Sequence, residues 1–133
     1  MQKITVHENE HITLWYYPET KIIHHQFHKY IYGDEFRKGL NAGVEAMKKY
    51  GAIKWLSDDR NNMALPLDDV EWAKTDWFPR TLKAGWKYWA LVQPAKAIGQ
   101  LNMKQFTETY SKLGITVNVF SNPDEAMKWL ESQ

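Results

Sequence analysis

Between residues 58 and 62 the chain sets two carboxylates, a guanidinium and two carboxamides in a row: Asp58, Asp59, Arg60, Asn61 and Asn62. Such a set offers general acid–base groups or an anion clamp, with amides able to donate and to accept. The plainer expectation is a loop held by local Asx hydrogen bonds and one ion pair. Position keeps the chemistry open. An apolar run at residues 52–56 precedes the cluster, and loops after parallel strands share one sheet edge, where Gln93, Lys96, Ser121 and Asn122 are expected to join it. No Ser-His-Asp order, Gly-rich phosphate loop or paired-carboxylate signature accompanies it. Catalysis therefore ranks behind binding, and no catalytic residue is assigned.

Two further groups invite chemistry. His24, His25 and His28 lie within five residues. On a strand His24 and His28 share a face about 13 Å apart while His25 points the other way, so the three cannot share one ion. Neither metal nor cofactor is expected. Trp72, Trp77 and Phe78 form an aromatic cluster. At 100° per residue Ala73 and Trp77 stay on the face of Val70 and Trp72 lies nearly opposite. Either the helix breaks near Thr75 and Asp76 and each half buries its own indole, or part of the cluster is an exposed surface for a partner, a lipid or a membrane face.

The elements that must position these residues follow from periodicity and punctuation. Residues 11–17 and 21–28 are rich in β-branched and aromatic side chains and flank Pro18-Glu19-Thr20, which reads as a hairpin, with residues 30–32 as an extension of its second strand. A helix is expected from Gly33-Asp34 to about Tyr50. It carries Phe36, Leu40, Gly43, Val44 and Met47 on one face, close approach to a sheet at Gly39 and Gly43, and a stop at Gly51. A strand at residues 52–57 precedes the polar loop. Pro66-Leu67-Asp68-Asp69 starts a helix that breaks, Asp76 caps its second segment and Gly85 ends it. Strands at 86–93 and 115–120 alternate with a helix capped by Asn102, bearing Met103, Phe106, Tyr110 and Leu113, and a last helix capped by Asn122. The order ββαβαβαβα predicts a five-stranded mixed sheet with parallel βαβ units and an antiparallel first strand at one edge. Residues 1–10 show no period and are expected to be loosely held, and residues 11–132 form one domain.

Whole-chain properties bound the function. One domain of 133 residues buries a sizeable core without staples, and the absence of cysteine excludes disulfides, zinc–thiolate sites, iron–sulfur clusters and a thiol nucleophile. Seventeen basic and sixteen acidic side chains are interspersed, so nucleic acid is not an expected partner. The polar start and the lack of a long apolar run point to a cytoplasmic protein. Seven Trp and seven Tyr want large buried areas with a partner for one polar atom each. Trp15, Tyr16 and Tyr17 on an edge strand predict a homodimer through that edge or the adjoining sheet face.

Several pieces in this order resemble the STAS superfamily, in particular its SpoIIAA-like branch of small stand-alone bacterial proteins: Lys54-Trp55-Leu56-Ser57-Asp58, Asp69-Val70-Glu71-Trp72, Ala84-Gly85 before Trp89-Ala90-Leu91-Val92, and Val119-Phe120 followed by Asp124-Glu125-Ala126 and Trp129-Leu130. The resemblance implies an α/β fold, a β–α superhelix with parallel strands in sequence order, over residues 11–132. It also implies an interaction module switched by phosphorylation of a Ser or Thr just before the second helix. Residues 58–71 contain no hydroxyl side chain, and the acceptor position falls near Leu65-Pro66, so the switch does not carry over. The branch is also similar to CRAL-TRIO lipid-binding domains. The expected function is therefore a non-catalytic module for a protein partner or ligand, with a carrier of a small apolar molecule or lipid as the alternative. An enzyme using Asp58 and Arg60 is the third reading. The binding residues expected are Asp58, Asp59, Arg60, Asn61, Asn62, Trp72, Trp77, Phe78, Gln93 and Asn122.

Overall fold

A computed structural model describes residues 2–133. Six strands lie in sequence order: β1 (Ile4–Glu8), β2 (Ile12–Tyr17), β3 (Ile22–Phe27), β4 (Lys54–Asp58), β5 (Tyr88–Val92) and β6 (Thr116–Phe120). The first three pair antiparallel and β3 to β6 pair parallel. The sheet has one strand more than expected, because residues 4–8 pair with β2 rather than lying loose. A register shift between Thr5 and His7 interrupts the alternation of β1, which hides its period in the sequence. Pairing with β1 also satisfies the backbone edge of β2, so Trp15, Tyr16 and Tyr17 are interior to the sheet and the premise for dimerisation through them is removed.

Helix α1 (Gly33–Tyr50) crosses from β3 to β4, and its buried residues Phe36, Leu40, Gly43, Val44 and Met47 include the expected face. A Cβ at Gly43 would run into the Trp55 ring, and one at Gly39 would stand 3.0 Å from Ile12 Cδ1, so these glycines set how closely α1 approaches the sheet. Tyr32 provides no side-chain cap. Instead the buried carboxylate of Asp69 accepts from the Gly33 amide at 2.8 Å and from Arg37 Nε at 3.1 Å, which satisfies the positive end of α1 from another helix. Residues 30–32 are not strand, and Ile31 is buried as the chain turns into α1.

Helix α2 (Leu67–Trp72) does not break. It passes through a single π turn, Ala73–Trp77, into α3 (Phe78–Lys83). Trp72 and Trp77 stand five apart, the repeat of an i→i+5 turn, so both indoles face α1. Trp72 meets Phe36 edge-on at 6.1 Å, and Trp77 Nε1 donates to the Leu40 carbonyl at 3.0 Å. With no break to cap, Asp76 pairs with Arg80.

After β5 come a short helix α4 (Ala95–Gly99) and then α5 (Met103–Ser111), capped by Asn102; α6 (Pro123–Glu131) follows β6 and is capped by Asn122. α1, the α2–α3 unit and α5 cover one sheet face, as successive right-handed crossovers require, and α6 covers the other over β4 to β6. Among the described residues no helix is long and apolar enough to cross a membrane.

Candidate ligand-binding site

On the three-helix face the sheet presents Ile23, His25 and Phe27 from β3, Trp55 and Ser57 from β4, and Trp89 from β5. These are alternate residues, which a pleated strand sends to one side. Trp55, Trp77, Trp86 and Trp89 meet there at centroid separations of 5.2 to 6.1 Å. Each indole N–H has an acceptor: His25 Nδ1 for Trp55, the Leu40 carbonyl for Trp77, the Tyr88 carbonyl for Trp86 and Ser57 Oγ for Trp89. The rings thus fill the face without orphaned donors.

They do not fill it completely. Between the α2–α3 unit and α5 lies a cavity of about 740 Å³. Its walls are Phe36 and Leu40 of α1, Ala73, Trp77, Phe78 and Leu82 of the π turn and α3, Trp89 of β5, and Tyr110 and Leu113 of α5 and its end. Lys74 also borders it from an exposed position. Four polar lining residues, His25, Ser57, Asp59 and Asn62, come from the carboxyl ends of β3 and β4 and the loop after them, the edge where open parallel sheets take ligands, while Thr109 lines the cavity from α5.

A chain of hydrogen bonds shapes that end. Trp55 Nε1 donates to His25 Nδ1 at 2.9 Å, which makes Nδ1 an acceptor and places the ring hydrogen on Nε2. Nε2 then donates to Asp59 Oδ1 at 2.7 Å. His25 is buried, whereas the Asp59 side chain keeps 27% of its surface.

The polar loop divides its residues between the two faces of the sheet. Asp59 and Asn62 line the cavity, as do Trp77 and Phe78. Asp58 points the other way and takes Arg60 in a two-pronged pair, Nε to Oδ1 at 2.8 Å and Nη2 to Oδ2 at 2.7 Å. Donating to the Asp58 carboxylate holds the Arg60 guanidinium above its ordinary pKa. Asn61 holds the Phe27 carbonyl, and the buried Asn62 side chain accepts from the Ile31 amide and donates to its carbonyl, so both tie the loop to the segment before α1. Trp72 sits between α1 and α2 with Arg37 at 5.2 Å from its ring. Gln93 gives its amide to Phe120, Asn122 caps α6, and neither borders the cavity.

His25, Ser57, Trp89 and Tyr110 are among the lining residues that sequence reasoning missed. The pairing of His25 with Asp59 spans 34 positions; the alternation of β3, which separates His25 from His24, was the available signal. Among the described residues no group of three His, Asp or Glu side chains is placed to hold a metal ion.

No protein-family model and no curated protein matches the sequence. The fold is similar to that of an uncharacterized protein of the DUF3478 family from Shewanella loihica, whose crystal structure has a SpoIIAA-like fold. The TM-score is 0.56 at 14% sequence identity, with 93% of this chain and 97% of that chain covered. The sheet order and helix placement described above are accordingly those of a SpoIIAA-like fold.

Proposed function

We propose that the protein is a non-catalytic binding module that holds one small, largely apolar molecule between the α2–α3 unit and α5, in the manner of a carrier. The cavity supports this most directly. Protein interiors pack as densely as organic crystals, so an opening of about 740 Å³ walled by rings and aliphatic side chains is a departure that a ligand would repair. Four polar groups gathered at the strand end, against Lys74 and Thr109 on the covering helices, suit a molecule with an apolar body and one polar head. The exposed Met63 in the preceding loop and Leu67 and Val70 of α2 support a second role for this segment as a contact with a membrane surface or a partner. Leu67 is 85% exposed, and Val70 borders the cavity itself, so such a contact would place the opening at the donor surface.

Trp77 and Trp89 in the wall make indole fluorescence the readout. Titration with decanol is expected to give a saturable change. Filling the space with Ala73→Phe is expected to weaken binding at least about tenfold while the fold, checked by circular dichroism, is kept. A wild-type protein with no saturable response would refute the reading.

A further inference from the structure

We infer that the polar head of the ligand is a protonated amine, so that the cavity selects an apolar alkyl- or arylalkylamine over a fatty acid or an alcohol. This rests on the reading of the cavity as a ligand site and adds the charge of the occupant. Asp59 is the carboxylate at the polar end. One of its oxygens takes the His25 N–H, and among the described residues no hydrogen bond is made to the other. The Trp55 indole fixes His25 as a donor to Asp59, so the carboxylate receives a hydrogen bond but no salt-bridge cation.

Two arginines nearby are committed elsewhere. Arg60, the neighbour in sequence, is held on the opposite face by Asp58, and Arg37 is held by Asp69. Lys74, the one Lys or Arg bordering the cavity, comes from the π turn, and among the described residues it makes no ion pair with Asp59. An ammonium head at Asp59 would supply the missing positive charge. It would also find the Phe27 and Phe36 rings, 6.2 Å apart, on the same end of the lining. Ser57 Oγ, which receives the Trp89 N–H through one lone pair, has a second with which to accept from the ammonium. An anionic head would meet Asp59 as a like charge in surroundings drier than water, where repulsion is strong.

Three ligands of one chain length separate the head from the body: decylamine, decanol and decanoate, titrated at about pH 7.5, where the amine is protonated and the acid ionised. Decylamine is expected to bind at least about tenfold more tightly than decanoate and decanol. Asp59→Asn keeps an oxygen for the His25 N–H and removes the charge. It is expected to cost decylamine about tenfold and to leave decanol within about twofold, which also shows that the variant is folded. If decanol binds and decylamine has no advantage, or if Asp59→Asn leaves the advantage intact, the inference fails while the cavity reading stands. If none of the three binds, both fall.

Discussion

Under α6 the sheet contributes Ile22, Leu56, Ala90 and Val92, which meet Ala126 and Leu130 in a small core. The opposite face carries Trp55, Trp86 and Trp89 under three helices, and it is this face that encloses the cavity. Both faces are built on the same strands, so the difference lies in what covers them. One helix lying mainly against aliphatic side chains, with Tyr17, Phe120 and Trp129 alongside, can close down onto the sheet. Indoles and phenyl rings instead meet edge-on, and with their N–H groups committed to fixed acceptors they cannot collapse into the space between α3 and α5. A well-filled face is where stability concentrates, whereas the less well-filled face is where a ligand can add contacts.

That contrast is tested most strongly by truncating one leucine on each face. Leu130, fully buried on α6, is expected to cost about 3 kcal/mol on Leu130→Ala, because the closed core cannot relax into the gap. Leu82 already borders the cavity, and Leu82→Ala is expected to cost about 1 kcal/mol while altering decanol affinity. Urea unfolding of both variants measures this. Equal costs would mean that the cavity is as tightly supported as the α6 core, and the comparison would break.

The two faces also differ in how far the sequence revealed them. The α6 side was legible, because Asn122, Pro123 and Glu125 announce a capped helix and β4 to β6 have local apolar patterns. Helix α1 was legible for the same reason, with Gly51 in the left-handed conformation at its end. The cavity side was legible only in part. Asp59 and Asn62 were picked out by type and by their place after a strand, and Trp77 and Phe78 as part of an aromatic cluster on a helical segment. His25 and Ser57 were not, since their roles come from β3 and β4 lying side by side, with His25 opposite Ser57. The π turn escaped because one extra residue in a helix leaves no compositional mark, yet it decides that Trp72 and Trp77 share a side. β1 escaped because an exposed edge strand with a register shift has no clean period.

Charge sharpens the comparison further. On the α6 side of the sheet His24 stands beside Trp15 at 4.7 Å, shares a hydrogen bond between Nδ1 and the Tyr17 hydroxyl and leaves Nε2 buried without a hydrogen-bond partner. Burial first, then the neighbouring His25, pushes its pKa down to about 3, against a smaller upward pull from Asp58 and a further downward one from Lys3. An unfolded histidine binds its proton near pH 6.5, so between about pH 6.5 and 3 the unfolded chain holds a proton that the folded one refuses. The stability tied to neutral His24 is therefore complete above that window and falls as pH is lowered through it, by about 1.4 kcal/mol per pH unit. Unfolding at pH 7 and pH 5 is expected to show wild type losing about 2 kcal/mol more than His24→Phe. Parallel losses would mean that this part of the sheet admits water and is less closed than its packing indicates.

The smallest effect falls on two adjacent carboxylates that the pleat sends to opposite faces. Asp58 is 3% exposed and its two oxygens are engaged by Arg60, so it serves the fold. Asp58→Asn would break the charged pair and leave an amide N–H group facing a guanidinium. Because 38% of the Arg60 side chain is exposed, solvent screens part of the pair, and the expected cost is about 1.5 kcal/mol rather than that of a fully buried ion pair. Asp59 has one oxygen on His25, and an asparagine can keep that bond through its own carbonyl. Asp59→Asn is therefore expected to stay within about 0.5 kcal/mol of wild type. Urea midpoints of the two variants, compared with their decylamine affinities, should run in opposite order, with Asp58→Asn losing stability and keeping affinity and Asp59→Asn losing affinity and keeping stability. A loss of stability at Asp59 equal to that at Asp58 would place Asp59 in the structural network with its neighbour, and the division of labour between the two faces would not hold.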